Sequence, residues 1–498
     1  MAGKPSLILI VTILLFCFLS ARLDPREVKA LNDYPVHNID TGLNYATIQE
    51  AINANETLDG HTIFVDEGIY YENVVVNKSL SLAGGNRETT IVEGGKKGTA
   101  VNITANRVIL TRFTVKNSGP HYPTSGICLD CANFTTVTDN IVKESTYGIE
   151  LLSSNNSTVN ANQIVDNQYH GIVLYKSHNN TIGQNNLTRN NSEAINLVLS
   201  DGNYVHDNNM ANNAEAIWMD DSFFNIFSNN IILNCTVSFL HVVAAADSVG
   251  NSFIGNDINN FNRTQLGLVL YSCNETLIIG NNIKNCEYGL YLARSNGNRI
   301  YHNNLVNNIH QAYIFDTSLD NAWDNCFEGN YWSDYNGHDS DQDGIGETPY
   351  IIDADNTDNY PLMGIFYSFN TFTGHEVDLV SNSTILDFVS GYSMFLNGTR
   401  QLALYYNALG SKDTTGFCRI VIPRAFMDGP YVIFVNNKTL TPNEMPVLNI
   451  THAFLYFTYT HIGYVKIVPE FPSFLILPLF MTATLLAVIV YKRRKERT

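Results

Sequence analysis

The clearest coordination chemistry in this chain sits in one short acidic stretch. Asp339, Asp341, Asp343, Gly344 and Glu347 fall at offsets 1, 3, 5, 6 and 9. Hard oxygen donors on alternate residues, with a glycine at the sharp turn, open a calcium loop. The twelfth position is Tyr350 rather than a bidentate Glu, so the loop is not an EF-hand, and Asp353 or Asp355 is the candidate closing ligand. The expected metal set is therefore Asp339, Asp341, Asp343, Glu347 and Asp353, against the plain alternative of a solvated acidic turn. Softer ligands are scattered. Among 13 His and 8 Cys the sole tight thiol pair is Cys128 and Cys131, with His121 nearby. A lone C-x-x-C reads as a disulfide or as packing before it reads as a metal site.

Further candidates emerge when the chain is aligned on itself. A small residue recurs before an alternating apolar run, at Gly148, Gly171, Ala194, Ala216, Gly267 and Gly289. The residues preceding these markers and their equivalents are Tyr147, His170, Glu193, Glu215, Val237, Leu266, Tyr288 and Gln311. His170, Glu193 and Glu215 are the catalytic candidates. Carboxylates on adjacent coils of a stacked repeat lie near the roughly 5 Å separation of retaining glycosidases, and paired carboxylates split their pKa values. The bland alternative is a solvated corner where two Glu repel. The outward positions of the same runs read Glu150, Val173, Tyr175, Asn196, Trp218, Asp220, His241, Tyr271, Tyr291 and Asp316. Of these, Glu150, Tyr175, Trp218, Asp220, His241, Tyr271 and Tyr291 form the candidate ligand-binding set, because aromatic rings beside carboxylates suit sugars. The alternative is β-propensity alone. Asp220 and Asp316 lie four coils apart, roughly 19 Å at the strand spacing, too far to act together.

What must position these groups is a repeat. Asn makes up 63 of 498 residues, and 42 of them lie between positions 130 and 337. Asn is a poor helix former, so this segment is no helical bundle. Asn-Asn-apolar recurs with its apolar member at Ile141, Ile164, Leu187, Met210, Ile231, Ile258, Ile283, Leu305 and Phe327, a mean step near 23. Short alternating strands without room for a helix specify a parallel β-solenoid. The residue two before each marker is Asp139, Asn162, Asn185, Asn208, Asn229, Asn256, Asn281, Asn303 or Asn325. Such residues should stack at about 4.8 Å, tolerate the left-handed corner and bond one another up the column. The Asn enrichment is read as structural.

The opening Tyr45-Ala-Thr-Ile-Gln-Glu-Ala-Ile reads as a short helix covering the first coil's exposed edge. It resembles the N-terminal cap of pectate-lyase-type right-handed β-helix proteins. Residues 42–363 together resemble the NosD-like β-helix family, a periplasmic copper-associated type. The most specific part is the ending Gly329-Asn-Tyr-Trp-Ser-Asp-Tyr, with Asp339-Ser-Asp-Gln-Asp-Gly-Ile-Gly-Glu-Thr-Pro-Tyr and Asp358-Asn-Tyr-Pro-Leu. The resemblance implies right-handedness and, by the family's name, copper. Asp220-Asp221 resembles a polygalacturonase pair, but that family's Asn-Thr-Asp, Gly-His-Gly and Arg-Ile-Lys are missing. The resemblance therefore implies a fold without an established chemistry.

The expected architecture is all-β: a right-handed parallel β-helix of about 23 residues per coil, a small β-sandwich and a C-terminal transmembrane helix. Its parts are a signal peptide (1–21), an N-terminal cap with the first coils (42–90), β-helix repeats (91–337), an acidic calcium-type loop and end cap (338–363), a β-sandwich stalk of seven short strands (364–468), a membrane anchor (473–491) and a cytoplasmic basic tail (492–498). The first segment has Lys4 before an apolar run and the anchor precedes a basic flank, which places the bulk outside the cell. Pro469-Glu470-Phe471-Pro472 resembles the PEF-type archaeal sorting signal, which implies cleavage and re-anchoring by an archaeosortase in place of a permanent span. Sixteen N-x-S/T sequons suit a glycosylated surface. A net charge of −18 argues against a nucleic-acid partner. The expected function is non-catalytic recognition of polysaccharide or cell-envelope glycan, or an envelope-structural role. The first alternative is a carbohydrate-active enzyme (lyase, hydrolase or epimerase) on the solenoid face, and the second a NosD-like copper delivery factor.

Overall fold

A computed structural model describes residues 34–469, apart from 122–123, 237–239, 262–264, 395–399, 412–413, 441, 445–449 and 461–462. The expected signal peptide, the membrane anchor, the basic tail and all but the first residue of the Pro469-Glu-Phe-Pro motif lie outside the described residues.

Each coil contributes three short strands, and equivalent strands of successive coils pair in parallel and in register. Three long sheets result: face 1 with 13 strands, face 2 with 12 and face 3 with 11. The chain is an all-β parallel solenoid of right-handed type, with about 11 turns and about 23 residues per coil. Inside, apolar residues stack on their own equivalents, as in Val137–Val159–Ile182–Val205–Phe227–Phe253 along face 1. All of these are buried, and the Phe227 and Phe253 rings stack at 5.0 Å.

The Asn column forms at the corner between faces 1 and 2, with three shifts from the sequence reading. It runs Asn140, Asn162, Asn185, Asn208, Asn230, Asn256, Asn281, Asn303 and Asn330, each Nδ2 donating to the next Oδ1 at 2.9–3.1 Å. Asp139 and Asn229 are one residue out of register, because Ile141-Val142 and Ile231-Ile232 each offer two apolar residues for one inward position, and Asn325 is five residues out. The inward markers are correspondingly Val142 and Ile232, not Ile141 and Ile231, while Phe327 is exposed and Trp332 fills the last position. The ladder residues themselves are not in the left-handed region. The residue before each is: Asp139, Ala161, Gln184, Asp207, Asn229, Gly255, Gly280 and His302 have φ between 53° and 67°. Asn is therefore selected here for hydrogen bonding and not for the turn.

Both ends are sealed. The helix Ile48–Asn53 lays Ile48, Ala51 and Ile52 on the first coil, Thr47 caps its start, and Glu72 accepts the N–H groups of Ile48 and Gln49 at 3.0 and 2.9 Å. At the other end Asp358 terminates the ladder. One of its oxygens accepts from the Asn330 backbone and the Trp332 indole, both at 2.8 Å. Burial still pushes its carboxyl up to about 6.

Residues 365–469 form two five-stranded antiparallel sheets that contribute to one buried cluster. The seven expected strands are present, joined by Ile365–Asn370, Lys438–Leu440 and Asn443–Glu444. This unit is fastened to the solenoid. Arg419 pairs with Glu328 of the last coil, whose other oxygen lies 2.6 Å from His302 Nε2, Arg419 and Glu328 being buried and His302 partly so. The Asn304 amide exchanges two hydrogen bonds with the backbone of Phe366, both 2.8 Å. No helix among the described residues is long and apolar enough to cross a membrane.

Candidate functional site: the outer side of face 3

The outer side of face 3 merges the two candidate sets into one surface. The strands Glu193–Val198 and Glu215–Asp220 pair with Glu193 beside Glu215. Register carries the first column through Tyr147, His170, Glu193, Glu215, His241, Leu266, Tyr288 and His310. Val237 lies outside the described residues, and Gln311 is displaced by His310. The small residues that follow this column face the interior with no room to spare: a Cβ on Gly148 would meet the Gly171 carbonyl at 2.4 Å.

The four central members are chemically coupled. His170 Nδ1 contacts a Glu193 oxygen that also accepts from the Ser192 hydroxyl at 2.7 Å. Burial works to raise the Glu193 carboxyl, but His170 and Ser192 outweigh it and hold it below the ordinary range. Glu215 is 1% exposed, and burial, reinforced by the charge of Glu193, pushes its carboxyl up to about 7 against the opposing pull of His241. Its Oε1 lies 3.6 Å from His241 Nδ1, beyond hydrogen-bond length, and accepts no hydrogen bond. The other His241 nitrogen lies 3.1 Å from the Tyr271 hydroxyl. Two carboxylates on adjacent coils thus differ in protonation near neutrality, an arrangement able to hold and accept a proton side by side.

Next to this column runs an aromatic series. Ring centroids step from Trp218 to His241 at 6.0 Å, to Tyr271 at 5.6 Å, to Tyr291 at 6.0 Å and to Tyr313 at 5.6 Å. These rings bound a small apolar cluster of Ala244, Leu266 and Val269 on the outside of the sheet. Of the expected ligand-binding residues, Trp218, His241, Tyr271 and Tyr291 are brought together. Glu150 lies several coils away, fixed by the Ser125 hydroxyl at 2.6 Å, and Tyr175 stands under Lys176. Asp220 sits at the far edge of the face, where burial and then Asp221 and Asp247 raise its carboxyl. Asp316 is not on the ridge, since it occupies a left-handed corner. Sequence reasoning placed His241 apart from Glu215 and left out Tyr313, because the coil after Ile231–Leu233 is longer and lacks the Gly/Ala marker. The one available signal was the widening of the step there.

In the acidic loop, ligand atoms of Asp339, Asp341 and Glu347 lie within 4.8 Å of one another, a group that could hold a metal ion. Asp343 and Asp353 are not part of it. Asp343 accepts the Ile345 N–H at 2.8 Å and Asp353 accepts those of Asp355 and Asn356 at 2.8 Å, much as Asp339 accepts those of Asp343 and Gly344 at 3.0 Å.

A capped solenoid with one chemically distinct long face defines a repeat protein that presents an extended surface. The family model described as Periplasmic copper-binding protein (NosD) matches residues 54–223 and 189–337, more than half the chain, and the protein belongs to that family. A cell surface glycoprotein of Methanothermus fervidus is 32% identical over 110 residues, 22% of this chain and 18% of that protein, so the match spans under a fifth of the relative. Among solved structures, the A-module of a mannuronan C-5 epimerase from Azotobacter vinelandii is 16% identical, covering 55% of this chain and 93% of that one, with a TM-score of 0.43. A DFA-IIIase from Arthrobacter chlorophenolicus A6, without its lid, is 14% identical over 58% and 93%, with a TM-score of 0.44.

The residues present do not fit copper. Copper favours thiolate, thioether and imidazole ligands, yet among the described residues the one cluster with metal-binding geometry is all carboxylate. Cys128, Cys235, Cys273, Cys286 and Cys418 are buried, and burial pushes each thiol well up, away from the thiolate a metal needs. Cys131 and Cys326 are exposed and unbonded to another cysteine.

Proposed function

We propose that this protein recognises polysaccharide or cell-envelope glycan at the cell surface through the outer side of face 3. The observation that carries the reading is the unbroken ring series Trp218–His241–Tyr271–Tyr291–Tyr313 beside hydrogen-bonding carboxylates. Rings of this kind stack on the apolar faces of sugars while nearby acids accept hydroxyl protons. The family description and the surface glycoprotein relative suggest an extracellular protein. In this reading residues 1–21 are removed as a signal, the 473–491 segment anchors the chain or is exchanged by an archaeosortase, and the two C-terminal sheets form a β-sandwich stalk. Calcium is the ion best suited to Asp339, Asp341 and Glu347, which offer only hard oxygens. A glycan array with the purified protein tests the main reading. Saturable binding that weakens in Trp218→Ala and Tyr291→Ala supports it, and a blank array ends it.

A second reading, a carbohydrate-active enzyme, draws on Glu193 and Glu215, whose carboxyls are driven apart by His170 and by burial. Glu215 would supply the proton and Glu193 the ionised partner. Turnover of a bound glycan that is lost in Glu193→Gln and Glu215→Gln supports this; unchanged turnover in both dismisses it.

A further inference from the structure

Face 3 differs from the other two faces in charge as well as in its rings. Its eleven strands hold five carboxylates (Asp130, Glu150, Glu193, Glu215 and Asp220) and neither Lys nor Arg. The other faces do carry cations. Arg299 stands on face 1, and on face 2 Lys116, Lys143 and Lys284 lie 3.0, 3.4 and 3.0 Å from Glu93, Glu144 and Asp257. A polyanion laid along face 3 would meet Asp130, Glu150, Asp220 and the His170-paired Glu193 with no Lys or Arg in the strands, the adjoining cations being Lys176 over Tyr175 and Arg294 just past Tyr288–Ala293. A polyol meets no such penalty, because its hydroxyls donate to carboxylates and its C–H faces stack on indole and phenol rings.

Sequons flank this face. Asn133, Asn155, Asn156, Asn179 and Asn274 lie in the corner turns that follow face 3, Asn190 and Asn234 in the turns that precede it, Asn186 on face 2 and Asn102 on the face 3 strand Val101–Ile103. None falls on the face 3 strands from Tyr147–Leu152 to His310–Phe315, which carry the ring series.

We infer that face 3 takes an uncharged glycan, lying along the solenoid axis over Trp218, Tyr271, Tyr291 and Tyr313, and rejects polyuronates. The inference rests on the glycan-recognition reading and narrows it. The axial direction follows from the rings, which stand on consecutive coils and not along one strand.

The test is calorimetric titration of the full-length protein in detergent with a neutral hexose oligosaccharide series, an N-acetylhexosamine series and a polyuronate, at low and moderate salt, with and without calcium. The expected result is saturable binding of an uncharged series, weakened at least fivefold in Trp218→Ala, and no polyuronate binding in any condition. Tyr313→Ala, at the exposed end of the series, repeats the measurement where the Trp variant proves unstable. Polyuronate binding equal to or tighter than the uncharged series overturns the class assignment and leaves glycan recognition standing. Binding of none of the three overturns glycan recognition itself.

Discussion

The corner between faces 1 and 2 and the first column of face 3 both place polar side chains on successive coils at the same spacing, unbroken at the corner and from Tyr147 to His241 in the column, yet they are satisfied in opposite ways. At the corner the residue is always Asn, buried, and bonded on both sides. Asn185, for example, donates to Val159 O and Asn208 Oδ1 and accepts from the backbone and side-chain N–H of Asn162, all between 2.9 and 3.1 Å. In the column the residue changes from coil to coil, and Glu215 Oε1 and His241 Nδ1, 3.6 Å apart, make no hydrogen bond. A fully bonded identical stack specifies register and rigidity. A mixed stack with unspent polar atoms holds binding or proton-transfer capacity that folding has not consumed. The junction triad His302–Glu328–Arg419 shows that mixture alone is not the mark of a site. It is mixed and largely buried too, but its charges are paired, and it serves as a fastening.

The contrast can be broken at either stack. The largest effect is expected from Asn185→Ala, which strands several buried partners at once. A loss on the order of 4 kcal/mol, read from denaturant midpoints, follows if each orphaned group costs its usual share. A loss under about 1 kcal/mol would mean that the ladder is not what holds the corner. Arg419→Met leaves Glu328 buried with His302 alone and should cost about 3 kcal/mol, with earlier proteolysis of the C-terminal sheets. Glu328 is held down to about 2, its burial outweighed by Arg419 and His302. Its contribution is therefore present above the ordinary carboxylate range and is lost as pH falls towards 2.

Glu215→Gln should act in the opposite sense. A carboxyl raised to about 7 contributes its stability below the ordinary carboxylate value and loses it as pH rises through 7. The wild type should therefore lose on the order of 2 kcal/mol between pH 4.5 and 8 that the variant does not lose. Parallel pH profiles for the two proteins would refute the assignment. The smallest effect on folding is expected for Tyr313→Ala, whose ring is 42% exposed at the end of the series. Stability should hardly move, while glycan affinity falls by about 1 kcal/mol, the worth of one stacking contact. Loss of both together would make Tyr313 a packing residue.

Much of this was legible in the chain. The step near 23 and the alternating runs gave the solenoid, its short helical cap and the seven strands of the C-terminal sheets. His170, Glu193 and Glu215 were aligned from the Gly148, Gly171, Ala194 and Ala216 markers alone. Phase was less legible. Where two apolar residues follow, as in Ile141-Val142 and Ile231-Ile232, either satisfies the pattern, and the first one places Asp139 and Asn229 in the ladder where the structure has Asn140 and Asn230. In the acidic loop the spacing picked out Asp339, Asp341 and Glu347, which cluster, together with Asp343 and Asp353, which lie outside that cluster.

Sequence periodicity determined the coil length and the stacking of short strands, because the in-register pairing of parallel strands turns a repeat in sequence into a column in space; the number of faces and the phase of several columns were left to the tertiary structure. Only the tertiary structure decided which columns are spent and which are free. That decision depends on a longer coil bringing His241 under Glu215, on hydroxyls such as Ser192 reaching a carboxylate, and on Arg419 arriving from another unit to pair with Glu328. Hydrogen bonding and burial are fixed by distances of a few ångströms between residues far apart in the chain, and no local pattern encodes them.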